Sequence, residues 1–342
     1  MLLVTGGAGF IGSNFVVDWL ATSNEPVVNV DKLTYAGNLQ NLSKVLQNSQ
    51  HFFVKADIAD ARIIGGLLAG YQPRAVINLA AESHVDRSIR DPDEFIETNV
   101  LGTLKLLKVC FAYWRKLPLN QQSQFRFINI STDEVYGSLT AACAPFSEIT
   151  PYAPNSPYAA SKASADHLVR AFHSTHGLPT ITTNCSNNYG PYQFPEKLIP
   201  LAIQNAITEQ HIPVYGDGLN VRDWLHVSDH CKAIKLVLAH GRPGEKYNFG
   251  GANERANLEI VELVCHLLDQ ELPLRNGRSY KEQIRFVPDR PSVQLFRGLA
   301  ELHNEIAGKV LRFDLPALFP PQAEQGAFIL PHDGSGVRAT NE

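Results

Sequence analysis

The chain has 342 residues, 44% of them hydrophobic and 19% charged, with a formal net charge of -4. That much apolar material builds a large core, and a slightly acidic balance without a long basic run excludes a nucleic-acid partner held through its phosphates. The cysteines Cys110, Cys143, Cys185, Cys231 and Cys265 are scattered with no Cys-x-x-Cys pair, and no apolar run reaches the roughly 20 residues that cross a bilayer, so neither a metal site, nor a disulfide framework, nor a membrane span is expected.

Met1 opens directly into an apolar run with no basic leader, so a cytoplasmic location is expected. Short apolar runs at 2–5, 26–30, 51–54, 75–79 and 125–130 predict strands, and the apolar periodicity at 11–20 and 95–114 predicts helices between them. This alternation predicts the α/β class. The expected form is a Rossmann-type doubly wound parallel sheet, with ligands at the carboxyl ends of its strands, followed by a smaller C-terminal substrate-binding lobe.

Immediately after the first strand stands Gly6-Gly7-Ala8-Gly9-Phe10-Ile11-Gly12, which opens the first helix. Glycines Gly6, Gly9 and Gly12 allow a tight turn and close backbone approach to a pyrophosphate whose charge rests on the helix amino terminus. Asp31, closing the second strand, is spaced to bond an adenosine ribose diol, and its carboxylate would repel the extra phosphate of NADP; NAD is the expected cofactor, with Lys32 beside it as the one contrary charge. Asp57, after the third strand, suits either an adenine amine or a helix cap, and the sequence favours neither.

At the end of the fifth strand comes Ser131-Thr132-Asp133-Glu134-Val135-Tyr136-Gly137, and downstream Tyr158-Ala159-Ala160-Ser161-Lys162. The Tyr-x-x-x-Lys spacing puts a phenol and an ammonium on one helical face, where the positive charge is expected to lower the phenol's pKa for use as a base. That suits alcohol oxidation. The adjacent Asp133 and Glu134 supply an acid and a base that simple oxidation does not need, which points to oxidation followed by elimination; an isolated Asp-Glu pair would more often only solvate a strand end.

Between these motifs, 145–157 is rich in proline and small polar residues and reads as a surface excursion. Helices are expected at 198–209 and 257–268, and the prolines Pro316, Pro320, Pro321 and Pro331 mark an irregular tail. The expected division is therefore 1–183 for the dinucleotide and the Tyr/Lys helix, 184–310 mostly for substrate, and 311–342 a divergent tail. His84, His226 and His230 lack the spacing of a ligand set and are read as structural.

Several ordered stretches carry a wider likeness: 5–13, 31–38, Ala80-Ala81-Glu82-Ser83-His84-Val85-Asp86-Arg87-Ser88, 131–137, 184–200, Val221-Arg222-Asp223-Trp224 and Asp289-Arg290-Pro291. In them the chain resembles the extended short-chain dehydrogenase/reductase family, and within it the dTDP-glucose 4,6-dehydratases. Asp133-Glu134 separates these from epimerases of the same family, which oxidise the same sugar carbon without that pair. The resemblance implies NAD-dependent conversion of dTDP-glucose to dTDP-4-keto-6-deoxyglucose, by oxidation at C4, loss of water across C5 and C6, and hydride return to C6. It also implies a homodimer.

By the same resemblance Thr132 and Tyr158 flank the 4-hydroxyl with Tyr158 as base, Lys162 holds the nicotinamide ribose, Glu134 takes the C5 proton, and Asp133 protonates the departing 6-hydroxyl. For NAD the resemblance adds Phe10 and Ile11, then Asp31, Lys32, Leu33 and Thr34, then Asp57 and Ile58. It continues with Leu79, Ala80, Ala81, Glu82 and Ser83, with Ser83 also near the sugar, and with Thr98 and Asn188. Substrate falls to Asn187, Lys197 and Leu198, to Pro213, Val214 and Tyr215, and to Arg222, Asn257 and Arg290. The two arginines suit a diphosphate through charge-assisted bonds.

Past Asp289-Arg290-Pro291 the family pattern would continue Gly-His-Asp-x-Arg-Tyr, whereas this chain has Ser292-Val293-Gln294-Leu295-Phe296-Arg297, with Val293 in place of histidine. Two competing readings follow. One is a dehydratase or epimerase for another nucleotide sugar; the other is a weakly active NAD-binding paralogue with a scaffold role.

Overall fold

Strand β1 (Leu2–Thr5) is buried on both faces, as the centre of a parallel sheet requires. The computed structural model, which describes residues 1–139, 144–289, 329–332 and 335–338, builds around it the expected Rossmann-type sheet. Its other strands are β2 (Val27–Asp31), β3 (His51–Lys55), β4 (Ala75–Asn78), β5 (Arg126–Thr132), β6 (Thr180–Cys185) and β10 (Lys246–Phe249). They run in the order β10-β6-β5-β4-β1-β2-β3, every pair parallel. Strand order reverses between β1 and β4, and the crevice at their carboxyl ends is where such sheets bind ligands.

Helices cover both faces. Leu2 and Val4 face α1 (Phe10–Thr22) and α9 (Val227–His240), whereas Leu3 faces α2 (Ala61–Tyr71), α5 (Thr103–Trp114) and α7 (Pro157–His176). That is the period-2 alternation of a strand buried on both sides. Short helices α3 (Val85–Arg90), α4 (Asp93–Phe95) and α6 (Leu119–Gln124) lie between the longer ones.

A separate apolar cluster, including Ile199, Ile212, Trp224, Ile260 and Val264, forms the core of the smaller lobe. Around it stand β7 (Asn187–Tyr189), β9 (Val221–His226) and β11 (Glu254–Ala256) as one sheet, β8 (Ile212–Tyr215) paired with β12 (Ile284–Val287), and helices α8 (Leu198–Ile207) and α10 (Asn257–Glu271).

The structure departs from the sequence reading in four places. The single helix expected over 95–114 is interrupted: Ile96–Gly102 is a π-helix, which leads into α5. Strand β6 was missed because its sequence, TITTNC, reads as polar, although all six residues are buried. The stretch from residue 184 onward does not all belong to the smaller lobe, since α9 and β10 return to the main layer and complete it. Of the tail, the described part is not irregular: β13 (Ile329–His332) pairs antiparallel with β14 (Ser335–Arg338).

Candidate active site

The glycine loop fits a dinucleotide. Gly6 has φ +70, and a Cβ there would stand 2.6 Å from the Ala80 backbone nitrogen; a Cβ at Gly12 would stand 2.2 Å from the Gly6 carbonyl oxygen. Both close approaches therefore demand glycine. Helix α1 begins with Gly9 as its cap, with no side-chain cap bond and no acidic residue in its first turn. Its first N–H groups, from Phe10 and Ile11 on, are left for an anion.

Asp31, the last residue of β2, accepts from the Ala8 N–H at 2.9 Å and the Leu33 N–H at 2.7 Å. A carboxylate offers about four acceptor sites, so a diol can still be bonded. The contrary charge is engaged, since Lys32 pairs with Asp57 at 2.9 Å. Asp57 also accepts from the Ala59 N–H, a bond that caps the turn following it, while α2 itself is capped by Asp60. Leu79 to Ser83 follow β4 into the crevice; the Glu82 N–H donates to Asn99 on the π-helix, which also carries Thr98. Ile58 is buried. Asn188 is held by His230 at 2.9 Å, and burial pushes that imidazole down to about 4. His84 and His226 cap α3 and α9, whereas His230 is fully buried.

The reacting groups meet at the ends of β5 and β6. Ser156 caps α7 by accepting from the Ala159 N–H at 3.1 Å, and Pro157 starts the helix, which brings Tyr158 to its first turn. Thr132 caps a short 3-10 turn, Asp133–Tyr136: its hydroxyl accepts from the Glu134 N–H at 3.2 Å and donates to Asp133 Oδ1 at 3.3 Å, within electrostatic reach of the Tyr158 phenol. One threonine thus ties the acid to the turn that carries the base, beside the phenol.

Burial, then the adjacent Glu134 carboxylate, pushes Asp133 up to about 7, while Arg222 and the Thr132 hydroxyl pull the other way. Such a carboxyl still holds a proton near neutrality and can act as an acid. Tyr158 departs from expectation. Burial, followed by Glu134, Cys185 and Asp133, raises the phenol well above its usual value. Lys162 does not offset this in the chain itself, because its ammonium lies one turn deeper and donates to the Ile130 carbonyl at 2.7 Å. Burial lowers the lysine's own pKa, against the charge of Asp166.

Of the expected substrate groups, Asn187 on β7 pairs in register with Trp224 of β9, the strand that carries Arg222 within electrostatic range of Asp133. Lys197 caps α8 ahead of Leu198 and donates to the Ser83 carbonyl at 2.9 Å, bridging the two lobes. Pro213 to Tyr215 lie on β8, and Asn257 begins α10. Arg290 and Val293 lie outside the described residues.

Sequence reasoning missed Asp166, Asn129, Asn184 and Tyr152, which form a buried polar network beneath the reacting groups. The signal was present, since Tyr158, Lys162 and Asp166 fall on one helical stripe at intervals of four.

A doubly wound sheet with an open glycine-rich helix terminus, a Tyr-x-x-x-Lys helix and a strand-end hydroxyl defines the short-chain dehydrogenase/reductase class. A family model described as GDP-mannose 4,6 dehydratase matches residues 3–301. A dTDP-glucose 4,6-dehydratase of Xanthomonas campestris pv. campestris (strain B100) is 59% identical over 289 residues, covering 84% of this chain and 82% of that one. Its counterpart in Neisseria meningitidis serogroup B is 55% identical over 292 residues, covering 85% and 82%. The crystal structure of a dTDP-glucose 4,6-dehydratase from Streptomyces venezuelae, with NAD and TYD bound, superposes with a TM-score of 0.77 at 44% identity, covering 87% of each chain. The chain belongs to the dTDP-glucose 4,6-dehydratase family.

Proposed function

We propose that this chain converts dTDP-glucose to dTDP-4-keto-6-deoxyglucose with NAD as its resident cofactor. The observation that carries this reading is the juxtaposition of Tyr158, Thr132, Asp133 and Glu134, in which one carboxyl is raised to about 7 while its neighbour stands beside it as a base. Oxidation alone would use only the phenol and the threonine. Relatives more than half identical carry the same activity in their names.

Bound NAD supplies a reversible two-electron oxidation and ends the cycle as it began. The residues do the rest. Thr132 and Tyr158 hold the sugar's 4-hydroxyl, and Tyr158 takes its proton. Glu134 removes the C5 proton, which is acidic only while C4 is a ketone, and Asp133 gives its proton to the departing 6-hydroxyl. Each such positioned group contributes roughly 10²- to 10⁴-fold. Residues 1–183 hold the dinucleotide and 184–310 mostly grip the nucleotide, a division supported by the separate core of the smaller lobe.

The direct test incubates purified chain with dTDP-glucose and follows product mass and the proton at C5. Loss of one water with solvent deuterium at C5 is expected; recovery of starting sugar or its 4-epimer would overturn the reading. UDP- and GDP-glucose run in parallel distinguish the nucleotide.

Asp31 carries a second expectation. NADP should bind at least about tenfold more weakly than NAD by titration calorimetry, since its extra phosphate would meet a carboxylate at the ribose and Lys32 is paired elsewhere. Equal affinities would remove Asp31 from the ribose site. The same reading includes a homodimer in the cytoplasm. The partly exposed apolar side chains of Ile96 and Leu101 at the start of the helix leading into α5 support the dimer, and the free thiols of Cys110, Cys185, Cys231 and Cys265 suit a reducing compartment. Among the described residues no helix is long and apolar enough to cross a membrane.

A further inference from the structure

Four side chains form a continuous buried line across the sheet. Thr5 Oγ1 donates to Asn78 Oδ1 at 2.7 Å, Asn78 Nδ2 to Asn129 Oδ1 at 2.9 Å, and Asn129 Nδ2 to Asp166 Oδ1 at 2.9 Å. The first three are fully buried and Asp166 is 3% exposed. The line starts on the strand that feeds the glycine loop and ends on α7, one turn beyond Lys162. The other carboxylate oxygen of Asp166 accepts from Ser131 Oγ at 2.7 Å, Tyr152 Oη at 3.1 Å and Asn184 Nδ2 at 3.2 Å.

Burial raises the Asp166 carboxyl above its ordinary value, while the Lys162 charge and the donors converging from Ser131, Asn184 and Tyr152 pull it back toward the ionised form. A buried charge is expensive unless a cation balances it, whereas an amide or apolar pair would join β5 to α7 without that cost. The cation available is Lys162, on the same helical face one turn earlier and equally buried. Asn184 makes the second link, donating also to the Thr132 carbonyl at 3.1 Å, while Ser131 immediately precedes Thr132 on β5.

We propose that Asp166 is a positioning residue for the dehydratase reaction: as a carboxylate it keeps the buried Lys162 cationic and, through Ser131 and Asn184, sets the strand ends that present Thr132. The proposal rests on the dehydratase reading for its kinetic consequences, though not for its electrostatic one. Tyr136 and Tyr152 face Asp166 from the segments before α7, Lys246 faces it from β10, and Cys185 faces Lys162 from β6. Burial holds the two phenols and the thiol above their usual values, so they remain neutral through the working range. Lys246 is partly exposed above the rings of Tyr136 and Tyr152 and cannot substitute for a buried cation.

Asp166→Asn preserves size and removes the charge. Titration of Lys162 by NMR of ¹³C-labelled lysine, assigned with Lys162→Arg, should show its pKa lowered by about one unit or more in Asp166→Asn. A second alkaline limb of kcat against pH, above the one set by Asp133, should move down with it, kcat should fall roughly tenfold, and KM for dTDP-glucose should stay unchanged. An unmoved Lys162 titration, or a uniform fall in kcat at every pH, would reduce Asp166 to a structural role and overturn the proposal. Should Asp166→Asn fail to fold, Tyr152→Phe deletes one donor and keeps the ring; the acid limb should then rise as Asp166 becomes easier to protonate, and an unmoved limb overturns the proposal equally. Wild-type turnover tests the dehydratase reading by itself, while the lysine titration needs no substrate.

Discussion

Tyr158→Phe is expected to lower turnover of dTDP-glucose by at least about 100-fold, the usual lower bound for losing a positioned base. NAD affinity should hardly change, because the glycine loop is untouched. The fold should survive as well, since phenylalanine keeps the edge contact with Phe95. In the chain itself the phenol rests protonated, raised by burial and by the neighbouring carboxylates. Deleting its oxygen removes both the proposed base and an anchor for the 4-hydroxyl. A variant within tenfold of the wild-type rate would exclude Tyr158 as the base.

The two adjacent carboxyls are expected to fail differently. Glu134→Gln should still permit oxidation at C4 but stop proton removal at C5, so reduced NAD should accumulate, visible by its absorbance, while product formation falls at least about 100-fold. Asp133→Asn should still exchange the C5 proton with solvent deuterium yet release little dehydrated sugar, because asparagine has no proton to give the leaving hydroxyl. Protonated Asp133 is the active form, so wild-type kcat should fall as pH rises through about 7, and Asp133→Asn should lose that limb. Identical behaviour of the two variants would show that the pair acts as a unit rather than as separate acid and base.

The parts of this architecture written in local sequence were readable. Glycines forced by close backbone approach, a Tyr/Lys pair at helical spacing and carboxyls at a strand end each announce their chemistry through residue type and interval. Strand β6 was not readable, because its polar side chains are buried only once the neighbouring elements are in place, as when Thr180 Oγ1 donates to the Val169 carbonyl of α7. The π-helix at Ile96–Gly102 carries ordinary helical residues, and its purpose emerges only once Asn99 reaches both the Glu82 backbone and Ser161 Oγ. Asp166 was overlooked because an aspartate within a helix looks solvated until the sheet beneath it is in place. Lys162 was placed correctly by interval, yet its partner in the folded chain is a main-chain carbonyl rather than the phenol.

The return of α9 and β10 to the main layer bears on how the molecule is made. As the chain leaves the ribosome, β6 emerges as an open edge, and Ile130, Ile181 and Val4 have only α1 to cover them until residues 227–249 have followed. The residues up to about 183, proposed to hold the dinucleotide, therefore do not form a folding unit by themselves. A fragment cut at that boundary would expose a hydrogen-bonding edge and an uncovered apolar face together, a combination that favours self-association. The division proposed between the two ligands does not separate two foldable pieces, and the nascent chain must wait for its smaller lobe to be partly synthesised before its main layer can close.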